Sequence, residues 1–269
     1  GDDSIGYFEM MAHHFAKIRR VRESLIMQVR AVTRARRDRD VFALRRLCKA
    51  GIEYVRRLRS ATWKDHKELI ERYFIKQWIN AEWMVSNYKN LVEVVQQNCE
   101  TRGQNIPVGR RYRYAVALER TNKPELSVET VENGLHELRD RHCETYQRLL
   151  IQRANVLTTF ERIDESLEAL DKVDPTRIST EDLARYYIIK MINYDRHGEH
   201  ESYAKYLKKA RVTSDQYGHI EHLVRARYSE GQSLLNQSRF QEAKSIIASS
   251  VRLAHKARYY RGLCIMYFL

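Results

Sequence analysis

Residues 231–250 read GQSLLNQSRFQEAKSIIASS. Gly231 is followed by Leu234, then by an aromatic at Phe240, a small residue at Ala243, and Ile247 and Ser250. Apolar and small residues three, four and seven places apart fall on one face of a helix. The polar residues Gln237, Ser238 and Arg239 interrupt that pattern as a turn. The stretch therefore predicts two helices folded back on each other, with Gly231 and Ala243 small enough to let their backbones approach.

The same frame can be laid on earlier segments. Its first small or apolar site falls at Met191, Ala154, Ala115 and Ile79, and its large site at Tyr194, Leu157, Leu118 and Glu82. The turn site falls at His200, Ile163, Pro124 and Tyr88, and the small site of the second helix at Tyr203, Ser166, Ser127 and Leu91. Leu207, Leu170, Val131 and Val95 close each copy. Going upstream from Gly231, the copies stand 40, 37, 39 and 36 residues apart. Glu82 breaks the apolar site of the earliest. One more copy is expected upstream, with Val41, Leu44, Cys48 and Gly51 on its second helix, although its 47-residue spacing departs from the rest. Asn122-Lys123-Pro124 and Arg196-His197-Gly198 match the turns, Asp174-Pro175 ends a copy, and Ser179 with Asp182 reads as the cap of the next helix. Residues 101–109, TRGQNIPVG, are the most loop-like.

Composition agrees with helices. A chain of 269 residues with 10 Gly and 3 Pro has too few turn formers for a sandwich or barrel. Hydrophobic residues make up 43%, enough for a core and too many for a disordered chain. No apolar run reaches the roughly 18 residues a membrane-crossing helix needs, and the start carries no apolar signal segment. The cysteines, at 48, 99, 143 and 264, form no CxxC or other metal spacing. A reducing compartment, cytoplasmic or nuclear, is expected.

The repeated phrase resembles the tetratricopeptide repeat (TPR) family in its long-unit form, over roughly residues 70–269. That resemblance implies an all-α fold, a right-handed α-solenoid of TPR-like helix-turn-helix repeats. Residues 67–269 would form the array and residues 1–66 a basic helical segment or atypical first repeat. Within the latter, residues 4–37 read as one or two amphipathic helices carrying Phe8, Phe15, Ile18, Leu25, Ile26 and Val29. The last stretch, YYRGLCIMYFL at 259–269, is apolar and lacks the polar face of a terminal repeat. It reads as the first helix of a repeat that continues, and Gly1-Asp2-Asp3-Ser4 as a similar cut.

Catalytic signatures come up empty: GxGxxG, GxxxxGK[ST], GxSxG and HExxH do not occur. Asp195, His197, Glu199, His200 and Glu201 cluster on a turn and read as solvated, as do His13-His14 and Asp164-Glu165. A non-enzymatic protein with no cofactor and no metal is expected. In a TPR superhelix the first helix of each repeat lines a concave groove that takes a peptide, helix or partner domain. The frame places Lys76, Asn80, Tyr112, Arg113, Arg148, Gln152, Asn155, Arg185, Arg225, Tyr228, Gln232 and Asn236 there. Lys76 and Asn80, one turn apart, resemble half of the family's clamp for a peptide's terminal carboxylate. Arg113 stands where that clamp has Asn, and Gln152 where it has Arg.

Charge is the second signal. The chain carries a net +13, of which residues 17–59 hold +11, with 15 Lys and Arg against 4 acids. Arg34, Arg36, Arg37, Arg39, Arg45, Arg46, Arg56, Arg57 and Arg59 form the expected basic surface. Arginine forks bind carboxylate and phosphate alike, so an acidic protein surface and a nucleic acid are both open as partners. The functional expectation is an interaction scaffold with a groove and a basic docking face. Its alternatives are a nucleic-acid-associated protein and the ligand-sensing half of a transcription regulator.

Overall fold

The computed structural model describes residues 4–17, 20–58, 64–99, 106, 108–257 and 259. Arg59, most of the 101–109 loop and the apolar tail after Tyr259 lie outside the described residues, as do Ile18 and Cys264. The described residues are all-α. In order the helices are α1 (Ser4–Lys17), α2 (Val21–Arg37), α3 (Val41–Arg57), α4 (Lys64–Met84), α5 (Tyr88–Asn98), α6 (Val108–Arg120), α7 (Pro124–Glu137), α8 (Glu144–Thr159), α9 (Ile163–Asp171), α10 (Thr180–His197), α11 (His200–Gln216), α12 (Ile220–Asn236) and α13 (Phe240–Lys256). A 3-10 turn, Pro175–Arg177, precedes α10.

One turn geometry recurs at seven described joints between helices: at Gly218 between α11 and α12, where φ is 69° and the His219 N–H donates to Ser214 at 2.8 Å, and at six joints inside the frame's pairs. Arg39, Ser86, Asn122, Glu161, Gly198 and Ser238 all sit at φ between 54° and 77°, in the left-handed region. At each, the next residue's N–H donates back across the turn: Asp40 to Ala35, Asn87 to Glu82, Lys123 to Leu118, Arg162 to Leu157, Glu199 to Tyr194 and Arg239 to Leu234, at 2.8–3.0 Å. This is the Schellman closure, which satisfies carbonyls that the helix end would otherwise orphan. From Ser86 onward the turns stand 36, 39, 37 and 40 residues apart, the spacings of the sequence frame. Arg39 adds a sixth member 47 residues before Ser86, so α2 and α3 form a hairpin of the same kind inside the basic segment. α10 starts as its sequence suggests: Ser179 accepts from the Asp182 N–H at 3.2 Å and donates to the Asp182 carboxylate at 2.6 Å.

The chain forms two compact units, divided between Lys123 and Pro124. In the first, each helix packs on the next from α1 to α6 around one continuous core that includes Leu25, Val32, Leu44, Phe74, Ile79, Leu91 and Leu118. Helices α3 and α4 approach so closely that a Cβ on Gly51 would fall 2.6 Å from the buried Phe74 ring. In the second, α7 to α13 again pack in sequence, and α10 also touches α8 and α12. Its apolar interior comes as three smaller clusters, centred on Ile151 and Leu170, on Ile188 and Met191, and on Val224 and Ala254.

The frame's first sites and second-helix small sites are interior, whereas its turn sites are not: Phe240 and His200 are exposed. Ile79, Ala115, Ala154, Met191 and Gly231 are all buried, as are Leu91, Ser127, Ser166, Tyr203 and Ala243. Glu82 is at 0% exposure in its supposedly apolar site. Its carboxylate pairs with Arg45 from α3 and accepts from the Trp78 indole N–H at 3.0 Å, which is what a buried charge requires.

Candidate functional site

In the second unit the first helices of three successive pairs, α8, α10 and α12, are neighbours. Arg148, Arg185 and Arg225 occupy one register on them, each six residues before the frame's first site. Arg148 bridges helices: its Nε donates to the Asp182 carboxylate of α10 at 2.7 Å, and its Nη2 lies 2.9 Å from Glu144. Arg185 is 8% exposed and donates to the Gln152 side-chain carbonyl, while the Gln152 amide reaches Ser127 at 3.4 Å. Arg225 is half-buried and acts on His222, one turn earlier on α12. The remaining expected residues follow along the same helices. Tyr228 accepts from the exposed Gln232 amide at 3.0 Å, Asn155 is half-buried and Asn236 is exposed.

Three residues on this face were not among the expected groove residues, although Asp182 was read as part of a helix cap. Asp182 is buried between Ser179 and Arg148. His219 meets the Thr180 hydroxyl through Nε2 at 3.0 Å. His222 is 8% exposed, and its Nδ1 finds no hydrogen-bond partner among the described residues. Burial, with Arg225 and Arg185 adding to it, pushes the His222 pKa down to about 3 and keeps the ring neutral. The signal was present in the frame: Asp182 and His222 both stand nine residues before the first site of their pair.

Beneath this face, a neutral network ties α8, α9 and α10. Asn193 Nδ2 donates to the Ser166 hydroxyl at 2.7 Å, Ser166 donates to the Ala154 carbonyl at 2.8 Å, and Thr158 donates to Asn193 Oδ1 at 2.7 Å. Every polar atom named here has a partner, so the network fixes the register of the three helices.

In the first unit, Asn80 is buried, donates to Gln77 at 3.1 Å and accepts from Arg113. Arg113 stacks over Trp83 with its guanidinium carbon 5.5 Å from the ring centre, and the Trp83 and Tyr112 rings stand 6.1 Å apart. Asn80, Tyr112 and Arg113 are thus joined to each other through Trp83, while Lys76 is exposed on α4. The Lys76 ammonium thus makes no ion pair among the described residues, while the Asn80 amide is engaged within the unit.

The basic residues divide into two groups. Arg45 pairs with Glu82, Arg46 forks onto Glu9 at 2.7 and 3.0 Å, Arg34 reaches Asp38 at 2.5 Å, and Arg56 bridges Glu71 and Asn98, both at 2.7 Å. These fasten α1, α4 and α5 to α3 and close the end of α2. Arg36, Arg37, Arg39 and Arg57 are exposed and make no ion pair among the described residues. The first three lie around the α2–α3 turn. Burial, and then the nearby Arg36, lower the pKa of Arg110 at the start of α6. Phe42, 83% exposed, adjoins the same turn.

On the acidic turn, His197 lies 3.3 Å from Asp164 and 3.5 Å from Glu199. Among the described residues no group of three or more His, Cys, Asp or Glu side chains is arranged to hold a metal ion. Burial raises the pKa of the Cys48 thiol, leaving it protonated and inert. No described helix is long and apolar enough to cross a membrane. A scan of the sequence against family models finds no match, and a search of curated proteins finds no similar sequence.

Proposed function

We propose that this chain is a non-enzymatic interaction scaffold of the TPR kind, a right-handed solenoid whose first helices present a groove to a peptide, helix or partner domain. One observation carries the reading: Arg148, Arg185 and Arg225 recur at a single register on three neighbouring helices. A row of charged donors at repeat spacing suits an extended ligand, because such a ligand offers acceptors at regular intervals along the same direction. Farther along α12, Tyr228, Gln232 and Asn236 add hydrogen-bonding side chains. The test is affinity purification of partners with the intact chain and with Lys76→Glu, Gln232→Glu and Asn236→Asp combined. None of these three side chains fastens one helix to another. Capture should fall about tenfold or more with circular dichroism unchanged. Equal capture would remove the groove.

A second reading is favoured by the exposed Arg36, Arg37 and Arg39 beside Phe42. These residues suit an acidic partner surface, or nucleic-acid phosphates. Nucleic-acid binding would weaken steeply with salt and disappear on reversing the three charges. Binding that ignores salt, or none to DNA and RNA, rejects the phosphate version. Nuclease treatment during the same purification separates a protein partner from one bridged by nucleic acid.

A further inference from the structure

We propose that the cleft between α11 and α12 binds a small organic acid, an apolar body carrying one carboxylate. The cleft has a volume of about 370 Å³, within the size range of small-molecule sites. A helix, about 10–12 Å across with its side chains, is too large for it. Leu207, Val212 and the buried Leu223 supply its apolar lining, and Lys208, Arg211, Asp215 and Arg227 its polar one. The site lies apart from the groove row. Arg227 comes two residues after Arg225, so the two side chains leave α12 about 200° from each other.

The cations select the ligand's charge. Arg227 is half-buried, reaches the Ser249 hydroxyl at 3.5 Å and has no carboxylate partner among the described residues. A guanidinium drawn partly out of water without a carboxylate favours an anion beside it. Lys208 is exposed at the rim and makes no ion pair among the described residues. Arg211 is held by Glu230 through Nη1 alone, at 2.9 and 3.1 Å, so Nε and Nη2 remain donors. Asp215 is the acid on the wall, one turn after Arg211 on α11, and it too makes no ion pair among the described residues. Three cations against the carboxylates of Asp215 and Glu230 leave one positive charge, which a monoanion matches. The apolar lining selects the rest of the ligand. Val212 is 54% exposed, and an apolar group laid over it would take both surfaces out of water.

The experiment is calorimetric titration of the full chain with naphthylacetate and with three probes that each change one feature. Naphthylacetamide is neutral, acetate lacks the apolar body, and naphthylmethylamine reverses the charge. Naphthylacetate should bind with a Kd of about 1 mM or tighter, and the other three about tenfold or more weakly. Arg227→Gln should weaken naphthylacetate about tenfold, Lys208→Gln should weaken it less, and Asp215→Asn should strengthen it. Lys208 fastens no helix to another, so its variant decides the matter if Arg227→Gln disturbs folding. The triple change Arg36→Gln, Arg37→Gln and Arg39→Gln, and the groove triple used for capture, should each leave the affinity nearly unchanged. The site therefore stands or falls separately from the groove and the basic turn. No binding of naphthylacetate, or binding that ignores both Arg227→Gln and Lys208→Gln, overturns the inference. Equal binding of naphthylacetamide would reject the charge requirement, and equal binding of acetate the apolar one. Tighter binding of the amine would make Asp215 the recognising group and reject the anion.

Discussion

The two units are built on one turn and both use charge between helices, but their interiors differ. In the first, inter-helix charges do the fastening: Arg45 to Glu82, Arg56 to Glu71, Arg46 to Glu9. In the second, Arg148 to Asp182, Arg153 to Glu132 and Lys190 to Asp171 do the same, and the buried neutral trio Thr158, Ser166 and Asn193 is added beneath them. The first has one continuous apolar core, the second a string of smaller ones. A conserved backbone geometry thus leaves side chains free to serve either cohesion or recognition. In a stacked array each pair needs only its neighbours, so the balance can differ from one pair to the next.

The largest expected effect breaks the first unit. Arg45→Met strands the fully buried Glu82 carboxylate and should cost about 3–5 kcal/mol. Glu82→Leu should cost far less, because Arg45 is 27% exposed and can turn to water while Leu suits the apolar site. The double variant should recover most of the loss. All three tryptophans, 63, 78 and 83, lie in this unit, so their fluorescence during denaturant unfolding reports it directly. Matching losses in Arg45→Met and the double variant would refute the pairing.

Acid should sort the units next. His222 has a folded pKa near 3 against an unfolded value near 6.5. The unfolded chain therefore takes up the proton first. The stability linked to this group is fully present above about pH 6.5 and is lost as pH falls toward 3. At pH 5 the loss should be about 2 kcal/mol relative to pH 7, read from amide exchange in α10 and α12. His222→Gln should flatten that dependence. An unchanged pH profile in the variant would show that His222 is not the group responsible.

The smallest effect concerns what the units share. Glu161→Gly should stabilise its turn and Gly198→Ala should destabilise its own, each by about 1 kcal/mol, since only Gly enters the left-handed region freely. Opposite signs in thermal unfolding would confirm a common turn, and equal signs would reject it.

Much of the fold was legible because turn and small-residue sites recur locally. Ser179 and Gly198 announced a cap and a turn through residue types that do little else well. Glu82 misled because its partner Arg45 lies 37 residues away, a separation no helical period predicts. The basic run misled in part for the same reason: Arg56 and Arg46 find their acids on other helices, so a running charge sum cannot tell an ion pair from a docking residue. His222 went unnoticed because a lone histidine carries no motif. Only its alignment with Asp182, once Arg148 is seen to contact Asp182, gives it meaning.

The six left-handed turns inside the pairs also fix where the chain can tolerate changes of length. Each helix residue advances the side-chain direction by about 100°. One residue added between Leu157 and Ser166 would rotate the seat of Ser166 away from Asn193 and turn the rest of α9 out of phase. The stretch from first site to turn to second-helix site has the same length in every copy, 32–44 and 79–91 included. Variation from 36 to 47 residues is therefore confined to the joints between pairs, where an insertion changes spacing without changing phase. Those joints are where loops of new function could be grafted while every hairpin keeps its register.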